Sequence, residues 1–289
     1  KSKLIKYWKP IAAVIFWGVS FIATKVALDE LIPLTIIFLR LVFGILLLTI
    51  IALKTGKSFS INIKSHSGIL LLALIGVLHL GIQVTGLQYT SAANTGWIIG
   101  ITPVFMAILG LIFLKEFLSP IKISGIVIAF FGLLLLISKG DFTSIDLISN
   151  KGDFLVLGSA FTWSVYSLVN KKISLNYPPM MTILFLFIIM AIMIAPFTIN
   201  ADAVESVLQL TITVWVAILF LGIFCSGIAY VLWAQSLKEM ESAKVGAFLY
   251  FEPFVTVIAS WLLLNEEITF LMLLAGIIIT AGVVIVNKK

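Results

Sequence analysis

Glu252 stands directly before Pro253 in the middle of a long apolar run. Proline removes one backbone hydrogen bond from a helix and frees a carbonyl about one turn earlier. The step therefore sets a carboxylate beside irregular backbone, an arrangement suited to binding a ligand or carrying a proton. The competing reading is a protonated or hydrogen-bonded glutamate that only fixes a kink. Three more polar side chains interrupt apolar runs: Arg40, His79 and Gln83. His79 and Gln83 are four apart, so on a helix they share one face, together with Gly76. Ionisable side chains inside a membrane cost roughly 3 kcal/mol or more and face a cavity or a partner, and this stripe is expected to face a cavity. For Arg40, the favoured expectation is snorkelling or pairing with a helix end. Glu252, His79 and Arg40 are the candidates for coupling or gating.

Aromatic residues accompany these groups at helical spacing. Trp17, Ser20 and Thr24 fall at i, i+3, i+7, and Trp163, Tyr166 and Asn170 repeat the pattern. Tyr230 and Trp233 form a similar stripe, Trp97 lies in another apolar run, and Tyr250 precedes the Glu-Pro step. Aromatic walls suit flat or cationic ligands, although core packing alone would also explain the tryptophans. The binding set expected from sequence is Trp17, Ser20, His79, Gln83, Trp97, Trp163, Tyr166, Tyr230, Trp233, Tyr250 and Glu252. Trp8 and Trp261 are expected to anchor at membrane interfaces.

Several chemistries are excluded or disfavoured. There is no His-Glu-x-x-His, no Gly-x-Ser-x-Gly and no Walker loop, so neither an intramembrane enzyme nor an ATP-driven pump is expected from this chain. Its single Cys225 rules out an internal disulfide and any multi-cysteine metal site. No metal or cofactor is expected. Nucleic acid is not an expected partner, because the lysines are scattered and lack a shared docking element.

The elements that must position these residues are membrane helices. Charged residues make up 11% of the chain, against roughly 25% in a soluble domain, and mean hydropathy is +1.20. At about 20 residues per span, all-α spans are predicted near 10–28, 33–53, 68–87, 92–114 and 121–137, and near 152–170, 179–199, 212–235, 245–264 and 268–286. The basic start followed by an apolar run resembles a signal peptide, but without a small-residue cleavage site it reads as the first span. With a cytoplasmic N-terminus, fifteen lysines fall in inside segments and only Lys25, Lys139 and Lys151 outside, while nine acids, Glu266 and Glu267 among them, fall outside.

Gly96, Pro103, Glu116 and Gly132 recur 150 positions later as Gly246, Pro253, Glu266 and Gly282. Trp17, Lys25, Pro33, Gly76 and Gly81 recur 146 positions later as Trp163, Lys171, Pro179, Gly222 and Gly227. The four-residue difference falls around the third and eighth helices or the loops after them. The expected organisation is two five-helix repeats, 1–138 and 152–289, joined by an extracytoplasmic linker at 139–151. Five is odd, so the second repeat is inverted and both termini are cytoplasmic. Arg40, His79, Gln83 and Glu252 are matched by Leu186, Cys225, Ala229 and Thr102. Residues present in one half only are the better functional candidates. Gly96 with Gly100, and Gly125, Gly132, Gly276 and Gly282, are assigned to close helix packing.

Phe16-Trp17-Gly18-Val19-Ser20-Phe21 with Lys25, the stretch Gly86 to Ala92, the run from Thr102-Pro103 to Glu116, and Glu252-Pro253 to Glu266 resemble the EamA-type branch of the drug/metabolite transporter superfamily. The resemblance covers nearly the whole chain. It implies ten helices in two inverted repeats, with a cavity lined by helices one, three, four, six, eight and nine, and frequent roles as exporters of amino acids and related metabolites. Sugar-phosphate carriers of that superfamily use several basic residues, whereas this core offers Arg40 with Lys25 and Lys171 near helix ends, which disfavours a dianionic phosphate. One acid, one base and many aromatics fit an amino acid with an apolar or aromatic side chain. Lipophilic cations or drugs come next, as does a facilitative uniporter or exchanger of another metabolite. A channel is disfavoured by the repeat. The expected setting is a cell inner or plasma membrane, and the expected partners are a small-molecule substrate and the lipid bilayer, with the chain as monomer or homodimer.

Overall fold

The computed structural model describes residues 7–56, 66–138, 148, 150–264 and 270–288. Every regular element among the described residues is helical. The order is α1 (Trp8–Leu28), α2 (Pro33–Lys54), α3 (His66–Tyr89), α4 (Ala92–Ile99), α5 (Thr102–Leu114), α6 (Pro120–Ser138) and α7 (Lys151–Ser174). It continues with α8 (Pro179–Thr198), α9 (Ala201–Leu208), α10 (Ile212–Phe220), a π-helical segment (Leu221–Ile228) and α11 (Ala229–Glu239). Then come α12 (Ser242–Gly246), a 3₁₀ segment (Ala247–Tyr250), α13 (Phe251–Leu264) and α14 (Phe270–Asn287). Among the described residues, eight helical stretches are long and apolar enough to cross a membrane, and Pro120–Leu135 and Leu273–Asn287 are shorter apolar helices. The chain is a multi-pass, all-helical membrane protein. Glu266, Glu267 and most of the linker expected at 139–151 lie outside the described residues.

Three of these helical stretches are irregular. The fourth breaks at Gly100-Ile101 between α4 and α5. Pro103 cannot donate to the carbonyl of Ile99, and the Thr102 hydroxyl, 2.5 Å from that oxygen, donates instead. The stretch that begins at Ser242 is a chain of α12, a 3₁₀ turn and α13, broken just before Glu252-Pro253. The stretch Ile212–Glu239 carries the π segment and explains the change in repeat offset. It starts at Ile212, 146 positions after His66, and ends at Glu239, 150 after Tyr89, so the four extra residues lie within this 28-residue span. They exceed one helical turn, and the π segment adjoins them. Helix α9 was not anticipated; Asn200 caps it by accepting from Ala203 N at 2.9 Å, and none of its residues is buried.

Small residues set the helix pairings. α6 lies along α14, and a Cβ on Gly282 would sit 2.5 Å from Ala129 N and 2.6 Å from Gly125 O. α3 lies along α7, where a Cβ on Gly152 would meet Gly86 O at 2.6 Å. α2 packs on α8 and the π segment; α1 packs on α11 and α13, and α7 on α3, α4 and α5. Side chains in a bilayer gain little from leaving lipid, so such backbone approach, with its dense van der Waals contact, carries much of the association.

The two ends of the bundle are tied by polar groups. At the end where α1 begins, Lys171 Nζ donates to Glu116 Oε1 at 2.6 Å and to Met240 O at 2.7 Å. Ser242 N donates to both Glu116 oxygens, at 3.0 and 2.9 Å. Lys115, with a left-handed φ of 53°, ends α5 and turns Glu116 into this cluster. Lys122 pairs with Glu241, and Lys9 with Glu239, at the same end. At the other end Lys25 Nζ donates to Leu87 O at 2.8 Å and Thr90 O at 2.9 Å. Thr90 Oγ1 and Asn94 Nδ2 donate to Asp153 Oδ1 at 2.6 and 2.7 Å. Thr211 donates twice to Glu30, which holds that carboxyl below its ordinary range.

Candidate functional site

Between these ends lies a cavity of about 390 Å³ lined by Trp17, Ser20 and Phe21 of α1, Arg40 of α2, and His79, Leu80 and Gln83 of α3. Ile99, Trp163, Tyr230 and Glu252 close it from α4, α7, α11 and α13. Eight of the residues singled out from sequence meet here: Trp17, Ser20, Arg40, His79, Gln83, Trp163, Tyr230 and Glu252.

Arg40 departs from expectation. It neither snorkels nor caps a helix end; it is 4% exposed, lines the cavity, and its Nε donates to Ser226 Oγ of the π segment at 2.9 Å. Approach of α2 to that segment, where a Cβ on Gly222 would meet Phe43 Cβ at 2.4 Å, carries the guanidinium inward. Glu252 is also 4% exposed, and its Oε2 has no hydrogen-bond partner among the described residues. The backbone on either side is held: Thr256 Oγ1 lies 2.9 Å from both Glu252 O and Gly18 O. Gly18 lets α1 approach this closely, since a Cβ there would sit 3.0 Å from Glu252 O. His79 Nδ1 lies 3.1 Å from Ser159 O of α7, and its ring centroid is 4.9 Å from that of Trp163.

The tryptophans related by the repeat face one another. Trp17 and Trp163 meet edge-to-face with centroids 4.9 Å apart, and Tyr230 is edge-on to both, at 5.7 and 5.4 Å. Trp17 Nε1 donates to Cys225 O at 3.0 Å, and Cys225 Sγ donates to Phe16 O at 3.3 Å, tying α1 to the π segment. Two expected site residues stand behind this wall: Tyr166 stacks on Trp163 at 4.9 Å, and Trp233, fully buried, donates to Ser167 Oγ at 3.1 Å. Tyr250 is fully buried too, its hydroxyl donating to Ile126 O of α6 at 3.4 Å. Trp97 is not brought to the central cavity. Its helix turns it to a separate apolar cavity of about 490 Å³ with Phe130, Leu133 and Leu157. Trp8 and Trp261 are half exposed on the outer surface of the bundle.

Phe21, Leu80 and Ile99 line the cavity without having been singled out, because an apolar lining residue and an apolar core residue look alike in sequence. Phe21 did carry a signal, being four residues after Trp17 and thus on its face. Ser226 and Ser159 were likewise invisible as partners of Arg40 and His79, since only the fold juxtaposes them. Among the described residues no three His, Cys, Asp or Glu side chains gather in a way that would hold a metal. One acid and one guanidinium in an apolar, aromatic cavity suit binding a small polar ligand.

The model of the EamA-like transporter family matches residues 6–138 and again 150–288. An uncharacterized transporter from Archaeoglobus fulgidus is 32% identical over 280 residues, spanning 95% of this chain and 94% of its own. The uncharacterized transporter YoaV of Bacillus subtilis is 28% identical over 276 residues, 94% of this chain and 93% of that one. A protein of known crystal structure superposes with a TM-score of 0.79 over 99% of this chain and 97% of the other; at 17% identity, the likeness is one of fold. With both stretches matched by the family and a relative aligned along almost its whole length, the chain belongs to the EamA-like transporter family.

Proposed function

We propose that the protein is a secondary-active exporter of small metabolites, namely amino acids with apolar or aromatic side chains, working by alternating access in a cell inner or plasma membrane. The observation that carries this reading is the cavity shared by Arg40 and Glu252, in which Glu252 Oε2 has no partner among the described residues and Trp17, Trp163 and Tyr230 form an aromatic wall. The guanidinium is suited to a carboxylate, the glutamate to an ammonium, and the rings to an apolar side chain. Ten spans in two inverted repeats, with both termini cytoplasmic, complete the reading. Support for the inversion comes from the packing, in which α1 meets α11 and α13 as α7 meets α3, α4 and α5. The polar ties at both ends are suited to opening one at a time. Proton coupling runs through Glu252 in this scheme, because protonating a buried carboxylate changes its charge while the halves rock.

Lipophilic cations or drugs are the second reading, favoured by the perpendicular Trp17 and Trp163 rings beside one carboxylate. The test is counterflow of a radiolabelled amino-acid panel in proteoliposomes. Saturable exchange of a few amino acids supports the proposal. Exchange of lipophilic cations alone moves the second reading forward, and exchange that is independent of Glu252 removes the coupling scheme.

A further inference from the structure

His79 meets two groups on α7, and both are acceptors. Ser159 O is a carbonyl and can only accept; it lies 3.1 Å from Nδ1. Thr162 Oγ1 lies 3.5 Å from the same nitrogen, but its single proton is already donated to Ser159 O at 3.1 Å. Nδ1 therefore has to carry the proton. In a neutral imidazole the other nitrogen is then an acceptor. A second cation in a buried cavity that already holds Arg40 would be costly, so the ring is neutral, with the Nε2 lone pair left over. No hydrogen bond joins Nε2 to any described residue, and His79 lines the cavity.

We propose that His79 is a specificity-determining residue whose Nε2, together with Glu252, accepts hydrogen bonds from a protonated primary amine on the ligand. This rests on the amino-acid reading above and deepens it. Two acceptors require a ligand head with at least two N–H donors, which an α-ammonium group has and a quaternary ammonium lacks. A flat quaternary cation would be attracted by the aromatic wall and by Glu252 yet leave His79 Nε2 unpaired.

The ring assignment is read first, without ligand, by ¹⁵N NMR of histidine-labelled full-length protein in nanodiscs, with His66→Gln leaving one histidine. The expected spectrum shows a proton-bearing Nδ1 and an unprotonated Nε2; the reverse overturns the inference. Binding is then measured for apolar and aromatic amino acids, each paired with its N,N,N-trimethyl analogue. Wild type is expected to prefer the primary amine by roughly 10-fold or more, as for a hydrogen bond to a charged group. His79→Asn keeps a donor for Ser159 O but presents no Nε2, and there the preference should fall by about the same factor. Amino-acid binding with no such preference, or a preference unchanged in His79→Asn, overturns the role of His79 alone and leaves the exporter reading standing. Failure of every amino acid to bind wild type, with the ring as assigned, overturns the substrate class and its ammonium partner together.

Discussion

Lys25 and Lys171 stand 146 positions apart and do the same thing at opposite ends of the bundle: each ammonium closes the C-terminus of a helix from the other side of a turn. Lys25 donates to Leu87 O in the last turn of α3 and to Thr90 O just after it; Lys171 donates to Met240 O after α11. Thr90 and Met240 are themselves 150 positions apart, so donor and acceptor are both repeated. Cations at helix C-termini satisfy carbonyls that have no intrahelical partner and complement the helix dipole. Lys171 makes one further bond, to Glu116, which in turn binds the start of α12 through Ser242. Four spanning stretches, those of α5, α7, α11 and α12, are thereby joined at one point.

Removing that junction should open its end of the bundle. In a Cys225→Ser background, a cysteine at the buried Ser174 position is expected to react with a small hydrophilic thiol reagent about tenfold faster when Glu116→Gln is added, since a charge-assisted bond is worth roughly 1.5–3 kcal/mol. Lys25→Met should not accelerate this cysteine. Equal rates with and without Glu116→Gln would mean that the junction does not hold the end closed.

The same carboxylate makes stability depend on pH. Burial on its own would raise the pKa of Glu116, but hydrogen bonds from Lys171 and Ser242 outweigh it and hold the group below its ordinary 4.5. A depressed folded pKa means stabilisation that is complete above the unfolded value and lost as pH falls through the folded one. Wild type should therefore melt at a higher temperature than Glu116→Gln at neutral pH, with the gap closing below about pH 4. A gap independent of pH would remove the charge from the explanation.

Arg40 and Ser226 give a graded pair of variants. Ser226→Ala removes one acceptor from Nε and should weaken ligand binding slightly, by about 1 kcal/mol or less. Arg40→Met removes the guanidinium and should abolish binding of carboxylate-bearing ligands. Arg40→Lys should behave nearly as badly, because an ammonium cannot reproduce the fork. Full transport by Arg40→Met would exclude a carboxylate from the site.

Glu252→Gln keeps nearly the same volume and removes the charge. If the carboxylate carries the proton, exchange in the variant should lose its pH dependence, and accumulation against a gradient should disappear. Accumulation that still follows an imposed pH gradient would place coupling elsewhere.

Packing of α6 on α14 is sensitive to single methyl groups. A Cβ on Gly282 would fall 2.5 Å from Ala129 N and 2.6 Å from Gly125 O, both of them backbone atoms that cannot turn aside. Gly282→Ala should destabilise by about 1–3 kcal/mol in thermal unfolding. Gly81, where nothing lies within 4 Å of a built Cβ, should accept alanine with little loss and serves as the control.

Apolar runs and their breaks were legible in the sequence because each is a local property. A span needs about 20 apolar residues whatever surrounds it, and Pro103 and Pro253 disturb a helix whatever it packs against. The repeat also identified Arg40, His79, Gln83 and Glu252 as the polar residues without a like partner in the other half, and the cavity contains all four. Helix rotation, by contrast, is set by neighbours. Only the close approach of α2 to the π segment turned Arg40 inward onto Ser226, and only the packing of α4 against α1, α7 and α13 set Trp97 away from the cavity. Residue type told which side chains could serve a site in the membrane. Which of them meet, and that the Nδ1 of His79 faces the carbonyl of Ser159, was decided by backbones 80 positions apart, a separation over which no local signal in the chain reaches.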